Sequence, residues 1–278
     1  MYRSLIKIKG KTINSMRFYL FLRILFIGCL FYSCQNRSVA PSLAQTGDTL
    51  SYHKKMVDEH SNYFLKGEDK LDTTYFRASY PVFDEAKIND LVSSIVHLEG
   101  DTSMEEAAHR FINAYNEYVD DNNGKSTATW NRDLRVDVVA NTPMYLAIRT
   151  KQEEYTGGAH GDHVTLYSNF DRQSNSPITI DDIIRKEDKD KFITIAEQCF
   201  RKQEGLHKDD TLNGKYFFEG GKFSLADNFT FEKNELLFYY NIYEIKSYAE
   251  GGTELRIPYT TFKDLMSEKG LHYINSIN

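Results

Sequence analysis

The chain has 278 residues, of which 41% are hydrophobic and 27% charged, a balance typical of a globular protein with one large domain or two small ones. Residues 1–33 contain six Lys and Arg and no Asp or Glu, so residues 34–278 carry 28 basic against 40 acidic side chains, a net charge of about −12. Negative charge of this size repels nucleic acid and anionic lipid headgroups and attracts cationic partners. The charge therefore excludes nucleic acid as an expected partner.

The N-terminal segment predicts export. Basic residues as far as Arg23 precede the apolar run 24–33, whose ten residues are typical of a signal peptide, whereas a membrane-spanning helix needs about twenty. The run ends at a Ser-Cys pair that resembles a lipobox, while Cys29 leaves only five apolar residues after Arg23. We therefore expect residues 1–33 to be a lipoprotein signal peptide and Cys34 to carry the lipid that anchors the protein to a bacterial membrane, facing the periplasm or the surface. The polar segment 34–60 is predicted to be a flexible tether.

Hydrophobic periodicity predicts alternating strands and helices after the tether. The strands are expected over 74–83, 134–138, 144–151, 163–170, 235–240 and 254–259. The helices are expected over 85–97, 103–119 (with a Ser103/Glu106 capping box), 181–184, 190–204 and 261–269, the last ended by Gly270. Short turns between successive strands indicate an α+β protein, with antiparallel sheets packed against helices. We expect two intimately associated subdomains, 61–154 and 155–278.

A glycine-rich loop is predicted at Tyr155–His163, between two strands. It differs from a phosphate-binding loop, which would have a helix and a lysine after it. His160, Asp162 and His163 are too close in sequence to share one metal ion without further ligands, so neither a metal nor a cofactor is expected. The loop is either a structural turn or a ligand-binding surface that includes Thr156 and His160.

A second candidate segment follows the strand over 235–240. Tyr243, Glu244, Tyr248 and Glu250 are predicted to form an acidic, aromatic recognition surface. The alternative interpretation is a hairpin connection with packed tyrosines.

The sequence favours a binding protein over an enzyme, because it contains neither a G-x-S-x-G nor an H-E-x-x-H motif. Cys199 lies on the apolar stripe of a predicted helix, which indicates a buried structural thiol. Pairs of carboxylates leave one alternative open, an envelope carbohydrate-active hydrolase that uses acidic residues near the glycine-rich loop.

Several segments together resemble a known family. They are YTGGAHG (155–161), ITIDDII (178–184), the stretch from FSLADN to YAEG (223–251), ELRIPY (254–259) and, earlier, SYPVF (79–83) with IND (88–90). The later segments resemble a bacterial envelope domain of unknown function that forms the lysozyme-sensing C-terminal part of the anti-sigma factor RsiV. The earlier ones resemble the N-terminal domain that precedes the catalytic domain of the peptidoglycan deacetylase PdaC.

The resemblance covers about residues 66–270 and implies an extracytoplasmic module that binds lysozyme-type muramidases or peptidoglycan-related ligands. It extends neither to a cytoplasmic segment that would hold a sigma factor nor to a deacetylase domain. We therefore expect a binding function, without RsiV's signalling route and without PdaC's catalysis.

Overall fold

A computed structural model of the chain describes residues 3–7, 49–66, 71–96 and 100–277. The strands are β1 (Arg3–Lys7), β2 (Tyr52–Lys66), β3 (Leu71–Phe83), β4 (Lys125–Ser126), β5 (Asn131–Asn141), β6 (Tyr145–Tyr155), β7 (Asp162–Asp171), β8 (Ser176–Pro177), β9 (Phe229–Phe231), β10 (Glu235–Tyr240) and β11 (Thr253–Pro258). The α-helices are α1 (Ala86–Val96), α2 (Met104–Asp121), α3 (Ile180–Ile183), α4 (Lys189–Gln203) and α5 (Glu268–Ile277). The predicted α+β class is confirmed.

The strands form a large sheet in the order β4-β1-β2-β3-β5-β6-β7-β8 and a small sheet in the order β11-β10-β9. Neighbouring strands β5, β6 and β7 are antiparallel, as their short turns predict. The β3–β5 pair is parallel instead. A parallel pair needs a long crossover connection, and α1 and α2 lie in the segment that supplies it.

Helix α2 begins where its capping residues predict. The Ser103 hydroxyl oxygen accepts a hydrogen bond from the Glu106 backbone N–H at 3.1 Å. The Glu106 carboxylate accepts from the Thr102 N–H at 2.9 Å, so the reciprocal bond of the predicted capping box lies one residue earlier. The first bond satisfies an N–H group that the start of a helix leaves without a partner, and the second fixes the residue just before the N-cap.

Strand β6 separates two hydrophobic cores, because successive side chains of a strand point to opposite faces. Leu146 and Ile148 join the first core, which lies between the large sheet and the helices α1 and α2. Tyr145 and Ala147 join the second core, which includes α4, α5 and the small sheet. All four side chains are fully buried, so β6 is the strand that the two cores share.

Two asparagines, from the segments before β9 and after β10, bind the outer edge of β7 in the large sheet. The Asn228 side chain accepts from the Tyr167 N–H and donates to the Thr165 carbonyl, both at 2.8 Å. The Asn241 side chain accepts from the Thr165 N–H at 2.7 Å. These bonds satisfy backbone groups that a strand edge otherwise exposes. They also hold the segment that follows β10 beside the start of β7.

The prediction of a helix over residues 261–269 is wrong. Residues Tyr259–Thr261 and Lys263–Leu265 form 3-10 turns, and α5 begins only at Glu268. Gly270 lies inside this helix rather than ending it. A Cβ atom at position 270 would lie 2.6 Å from the Ile183 carbonyl oxygen, so the glycine permits α5 to approach α3 closely.

The predicted subdomain boundaries also differ from the structure. The tether expected over 34–60 overlaps β2, because residues from Tyr52 onward pair with β3. The boundary at 154/155 falls inside the β6–β7 hairpin, whose strands belong to one sheet. Arg3–Lys7, within the predicted signal peptide, forms β1 between β2 and β4. Cys34 lies outside the described residues, and none of the helices described is long and apolar enough to cross a membrane.

Cys199 lies on α4, half-buried against the second core, as its helical stripe predicts. Burial raises the pKa of its thiol above the ordinary value. A half-buried thiol with a raised pKa is a weak nucleophile at neutral pH, which agrees with a structural role.

Candidate functional site

The glycine-rich loop connects β6 to β7 in a tight hairpin. Gly157 and Gly158 have φ of +105° and +101°, which residues with a side chain rarely adopt. A Cβ atom on Gly161 would lie 2.7 Å from the Glu154 carbonyl oxygen. The glycines therefore allow the hairpin to close and hold His160 at its tip.

The segment 241–250 lies against this hairpin and is held by its own side chains. The Glu244 carboxylate accepts from the Asn241 N–H at 2.7 Å, and Ile245 is buried in the second core. The Glu250 carboxylate accepts from the Ser247 hydroxyl at 2.7 Å and from its N–H at 3.2 Å. The hydrogen bond from the Ser247 hydroxyl lowers the pKa of Glu250. The backbone on either side of Tyr243 and Tyr248 is therefore fixed.

Tyr243 combines an unusual backbone with an exposed ring. Its φ is +67°, in the left-handed region that disfavours residues with a side chain, and 55% of its surface is exposed. Strained conformations of this kind persist where the surrounding structure holds them and are often found at functional sites. Tyr243 is therefore the first candidate for contact with a ligand.

Three rings from the two segments meet to form what we call the aromatic cluster, His160, Tyr243 and Tyr248. The rings of His160 and Tyr248 are stacked, with centroids 3.9 Å apart and an interplanar angle of 23°. The ring of Tyr243 is inclined at 41° to Tyr248 and at 45° to His160, with centroids 5.7 and 6.2 Å away. Its hydroxyl lies 3.3 Å from the His160 Nε2. The cluster thus presents two aromatic walls at an angle.

Charged side chains from three neighbouring strands lie beside the aromatic cluster. Glu154 on β6 is in register with Arg132 on β5 and with Asp162 on β7, so the three side chains share one face of the sheet. The Arg132 guanidinium donates to the Glu154 carboxylate at 2.5 Å, and Gln152 donates to the same oxygen at 3.3 Å. Within the described residues, Asp162 has no salt-bridge partner.

The aromatic cluster and the charged row enclose an open cleft of about 410 Å³. It is lined by Arg132, Gln152, Glu154, Thr156, Gly157, His160, Gly161, Asp162, Tyr243 and Tyr248. Two carboxylates, one guanidinium and exposed aromatic rings suit a ligand that is cationic or polar. Among the residues that the structure describes, no three His, Cys, Asp or Glu side chains lie close enough together to hold a metal ion.

The structure brings together four of the six residues predicted to bind a ligand, namely Thr156, His160, Tyr243 and Tyr248. Glu244 and Glu250 do not line the cleft, because their carboxylates hold the turns of their own segment.

The sequence reasoning missed the charged row. Arg132 and Glu154 lie just beyond the predicted strands 134–138 and 144–151, in the residues by which β5 and β6 are longer than predicted. The cross-strand register that pairs them is visible only in the folded sheet. From the sequence, Asp162 is a possible metal ligand or one of the acidic residues near the glycine-rich loop, and nothing in the sequence indicates a charged row.

Two family models match the chain, one described as "Deacetylase PdaC" over residues 68–163 and one as "Protein of unknown function (DUF3298)" over residues 181–260. The peptidoglycan-N-acetylmuramic acid deacetylase PdaC of Bacillus subtilis strain 168 is 25% identical over 205 residues. That match covers 71% of this chain but only 40% of PdaC.

Two solved structures of DUF3298 family proteins have a similar fold. The protein from Bacteroides fragilis NCTC 9343 has a TM-score of 0.63 and 22% identity, over 82% of this chain and 97% of its own. The protein from Pseudomonas aeruginosa PAO1 has a TM-score of 0.59 and 18% identity, over 79% of this chain and 95% of its own. The two family models and the PdaC relative confirm the predicted resemblance to a PdaC-like region followed by a domain of unknown function, and the two solved structures show that the fold is shared.

The cleft contains residues from both matched regions. Its glycine-rich loop and charged row fall within the PdaC-like match, and Tyr243 and Tyr248 fall within the DUF3298 match. Ligand sites are common where two structural units meet.

Proposed function

We propose that the chain is a lipid-anchored binding protein of the cell envelope whose cleft recognises a lysozyme-type muramidase. The observation that carries this proposal is the aromatic cluster beside the Asp162 carboxylate, at the junction of the two matched regions. The relation to PdaC and to DUF3298 proteins supports an envelope setting. The resemblance to the lysozyme-sensing part of RsiV supports the kind of partner.

Charge supports a basic partner. Residues 34–278 carry a net charge of about −12, and lysozymes as a class are basic proteins. Opposite charges accelerate encounter and make binding sensitive to salt, with a screening length of about 10 Å at 0.1 M. Long-range attraction of this kind brings partners together but does not select among basic proteins.

Specific affinity would come from the exposed rings. Buried aromatic anchors dominate many protein interfaces, and truncating a true anchor to alanine costs about 2 kcal/mol or more, close to thirtyfold in Kd. Tyr243 fits this role because its ring is exposed while its backbone is already held in place. A side chain ordered before binding loses less entropy when the partner arrives.

The test is calorimetric titration of the full-length protein, kept in mild detergent, with purified lysozyme. We expect saturable binding that weakens as salt is raised, and a loss of about thirtyfold in the Tyr243→Ala variant. Tyr52→Ala is the matched control, since Tyr52 is an exposed tyrosine that pairs with Phe83 at the opposite end of the large sheet. Absence of binding at low salt would refute the muramidase as ligand. Salt-sensitive binding that Tyr243→Ala leaves unchanged would indicate only nonspecific charge attraction, and equal losses in both variants would contradict binding at the cleft.

A second candidate ligand is peptidoglycan itself. Stacked aromatic faces beside hydrogen-bonding groups such as the Arg132–Glu154 pair suit a sugar ring with its hydroxyls. The name of the PdaC relative places its activity on peptidoglycan N-acetylmuramic acid. Titration with soluble peptidoglycan fragments tests this candidate, and weakening in Tyr248→Ala would assign binding to the cleft.

The same fragments test the alternative of a hydrolase. Glu154 and Asp162 are the acidic residues that line the cleft beside the glycine-rich loop. Release of product that stops in Glu154→Gln or Asp162→Asn would make the protein an enzyme. Binding without product would favour a recognition role.

A further inference from the structure

We propose that the cleft is a cation cage, in which the aromatic cluster and the Asp162 carboxylate receive one lysine or arginine side chain of the partner. The inference deepens the proposed function and rests on it in one respect, that the cation belongs to a basic protein. It names the chemical group that enters the cleft.

The rings supply the first requirement of such a cage. Aromatic faces attract ammonium and guanidinium groups that approach within about 6 Å of the ring centroid. The stacked His160–Tyr248 pair forms one wall, and the inclined ring of Tyr243 forms the other. Because Tyr243 is held at an angle to both rings, its face stays available instead of packing flat against them.

The charged row supplies the second requirement. The Arg132 guanidinium is already paired with Glu154 at 2.5 Å, which leaves Asp162 as the carboxylate to balance an incoming cation. One Asp162 oxygen accepts from the His163 N–H at 3.0 Å, and this bond orients the group. The two carboxylates and one guanidinium sum to one negative charge, so the row favours a cation over an anion.

The parts of the cage come from two segments that are distant in the chain and are held together by a hydrogen bond. Asn241 bonds the Thr165 backbone at 2.7 Å and so fixes the segment with Tyr243 and Tyr248 beside the hairpin with His160 and Asp162. A preorganised site of this kind loses little entropy on binding.

The first experiment separates a cation–π contact from ordinary apolar packing. The full-length protein in detergent is titrated with lysozyme after Tyr248→Phe, which keeps the ring, and after Tyr248→Leu, which keeps the bulk alone. We expect about a twofold loss for phenylalanine and about a tenfold loss for leucine. Equal affinities of the two variants would overturn the cage.

The second experiment separates local contact from long-range attraction. Asp162→Asn is compared with Glu268→Gln, which removes the same charge from an exposed residue of α5 at the opposite end of β6. At about 0.5 M salt the effect of Glu268→Gln should vanish, because screening then acts over a few ångströms, while Asp162→Asn should still weaken binding about tenfold. Equal effects of both variants at high salt would count against the cage.

A third experiment tests the cage without any protein partner. The probes are N-acetyl-arginine amide and its uncharged isostere N-acetyl-citrulline amide, observed through the NMR signals of the His160 ring. Saturable shifts with the arginine probe and none with citrulline are expected, and equal shifts or no shifts would overturn the proposal. Discrimination between the probes without lysozyme binding would retain the cage and refute the muramidase. Lysozyme binding that is equally strong in Tyr248→Phe and Tyr248→Leu would support the muramidase as ligand and refute the cage.

Discussion

At the scale of single residues, the left-handed backbone of Tyr243 lowers the free energy of unfolding, and it is this conformation that exposes the ring. Left-handed φ values disfavour a residue with a Cβ by about 1 kcal/mol relative to glycine. We therefore expect Tyr243→Gly to have a free energy of unfolding about 1 kcal/mol above that of Tyr243→Ala, although both variants lose the ring and bind lysozyme weakly. Urea denaturation measures the difference. A Tyr243→Ala variant more stable than Tyr243→Gly would show that the backbone is not strained.

Asp171, at the end of β7, makes the free energy of unfolding depend on pH in the acidic range. Burial alone would raise the pKa of this carboxyl, but hydrogen bonds from the Tyr273 hydroxyl, Ser174 and Gln173 lower the pKa to about 2. Because the unfolded chain then binds the proton more tightly, the stabilisation is present above the ordinary pKa of about 4 and is lost as pH falls towards 2. The loss should be on the order of 2 kcal/mol.

The measurement for Asp171 is urea denaturation at about pH 6 and about pH 2. We expect Asp171→Asn to be less stable than the unmodified protein at about pH 6 and to lose less stability on acidification, because the amide does not titrate. The exposed Asp181, on α3, provides the control variant Asp181→Asn. Identical pH dependence in Asp171→Asn and the unmodified protein would contradict the assignment.

At the scale of elements, the contact between α3 and α5 depends on Gly270. A methyl group at this position would lie 2.6 Å from the Ile183 carbonyl oxygen and 3.1 Å from the Met266 Cε. Forcing the helices apart should lower the free energy of unfolding of Gly270→Ala by about 1–3 kcal/mol, despite the better helix propensity of alanine. Asn275→Ala, an exposed substitution in the same helix, is the control. Stabilisation by Gly270→Ala would show that the close approach is not rigid.

At the scale of the whole molecule, lipid on Cys34 would place the cleft at a membrane. The basic segment, the ten-residue apolar run and the Ser-Cys pair motivate this prediction. Cys34→Ala should move the protein from the detergent phase to the aqueous phase in a Triton partition, whereas Cys29→Ala should not. The opposite result would place the lipid on Cys29.

Processing before Cys34 has a consequence for the large sheet. It would remove β1, which pairs with β2 and β4. The intact mass of the membrane-bound protein shows directly whether residues 1–33 are present.

Much of the fold follows from the sequence alone, because helices and strands are specified by local periodicity and local caps. The stripe of α2 and its cap at Ser103, the alternation of β5 and the glycines of the hairpin are readable along the chain. The same local reasoning predicted Thr156, His160, Tyr243 and Tyr248, which the structure places at one cleft. It failed at Gly270, because a glycine that ends a helix and one that admits a neighbour look alike in sequence.

The tertiary structure alone decided how the cleft is assembled. The register of β5, β6 and β7 places Arg132, Glu154 and Asp162 side by side, and the Asn241 bond to β7 brings the two tyrosines to His160. Glu244 and Glu250 were predicted to form part of a binding surface, but their carboxylates accept hydrogen bonds that stabilise turns of their own segment. Register and edge contacts join residues far apart in the chain, so they depend on the packing of the two cores rather than on any local pattern.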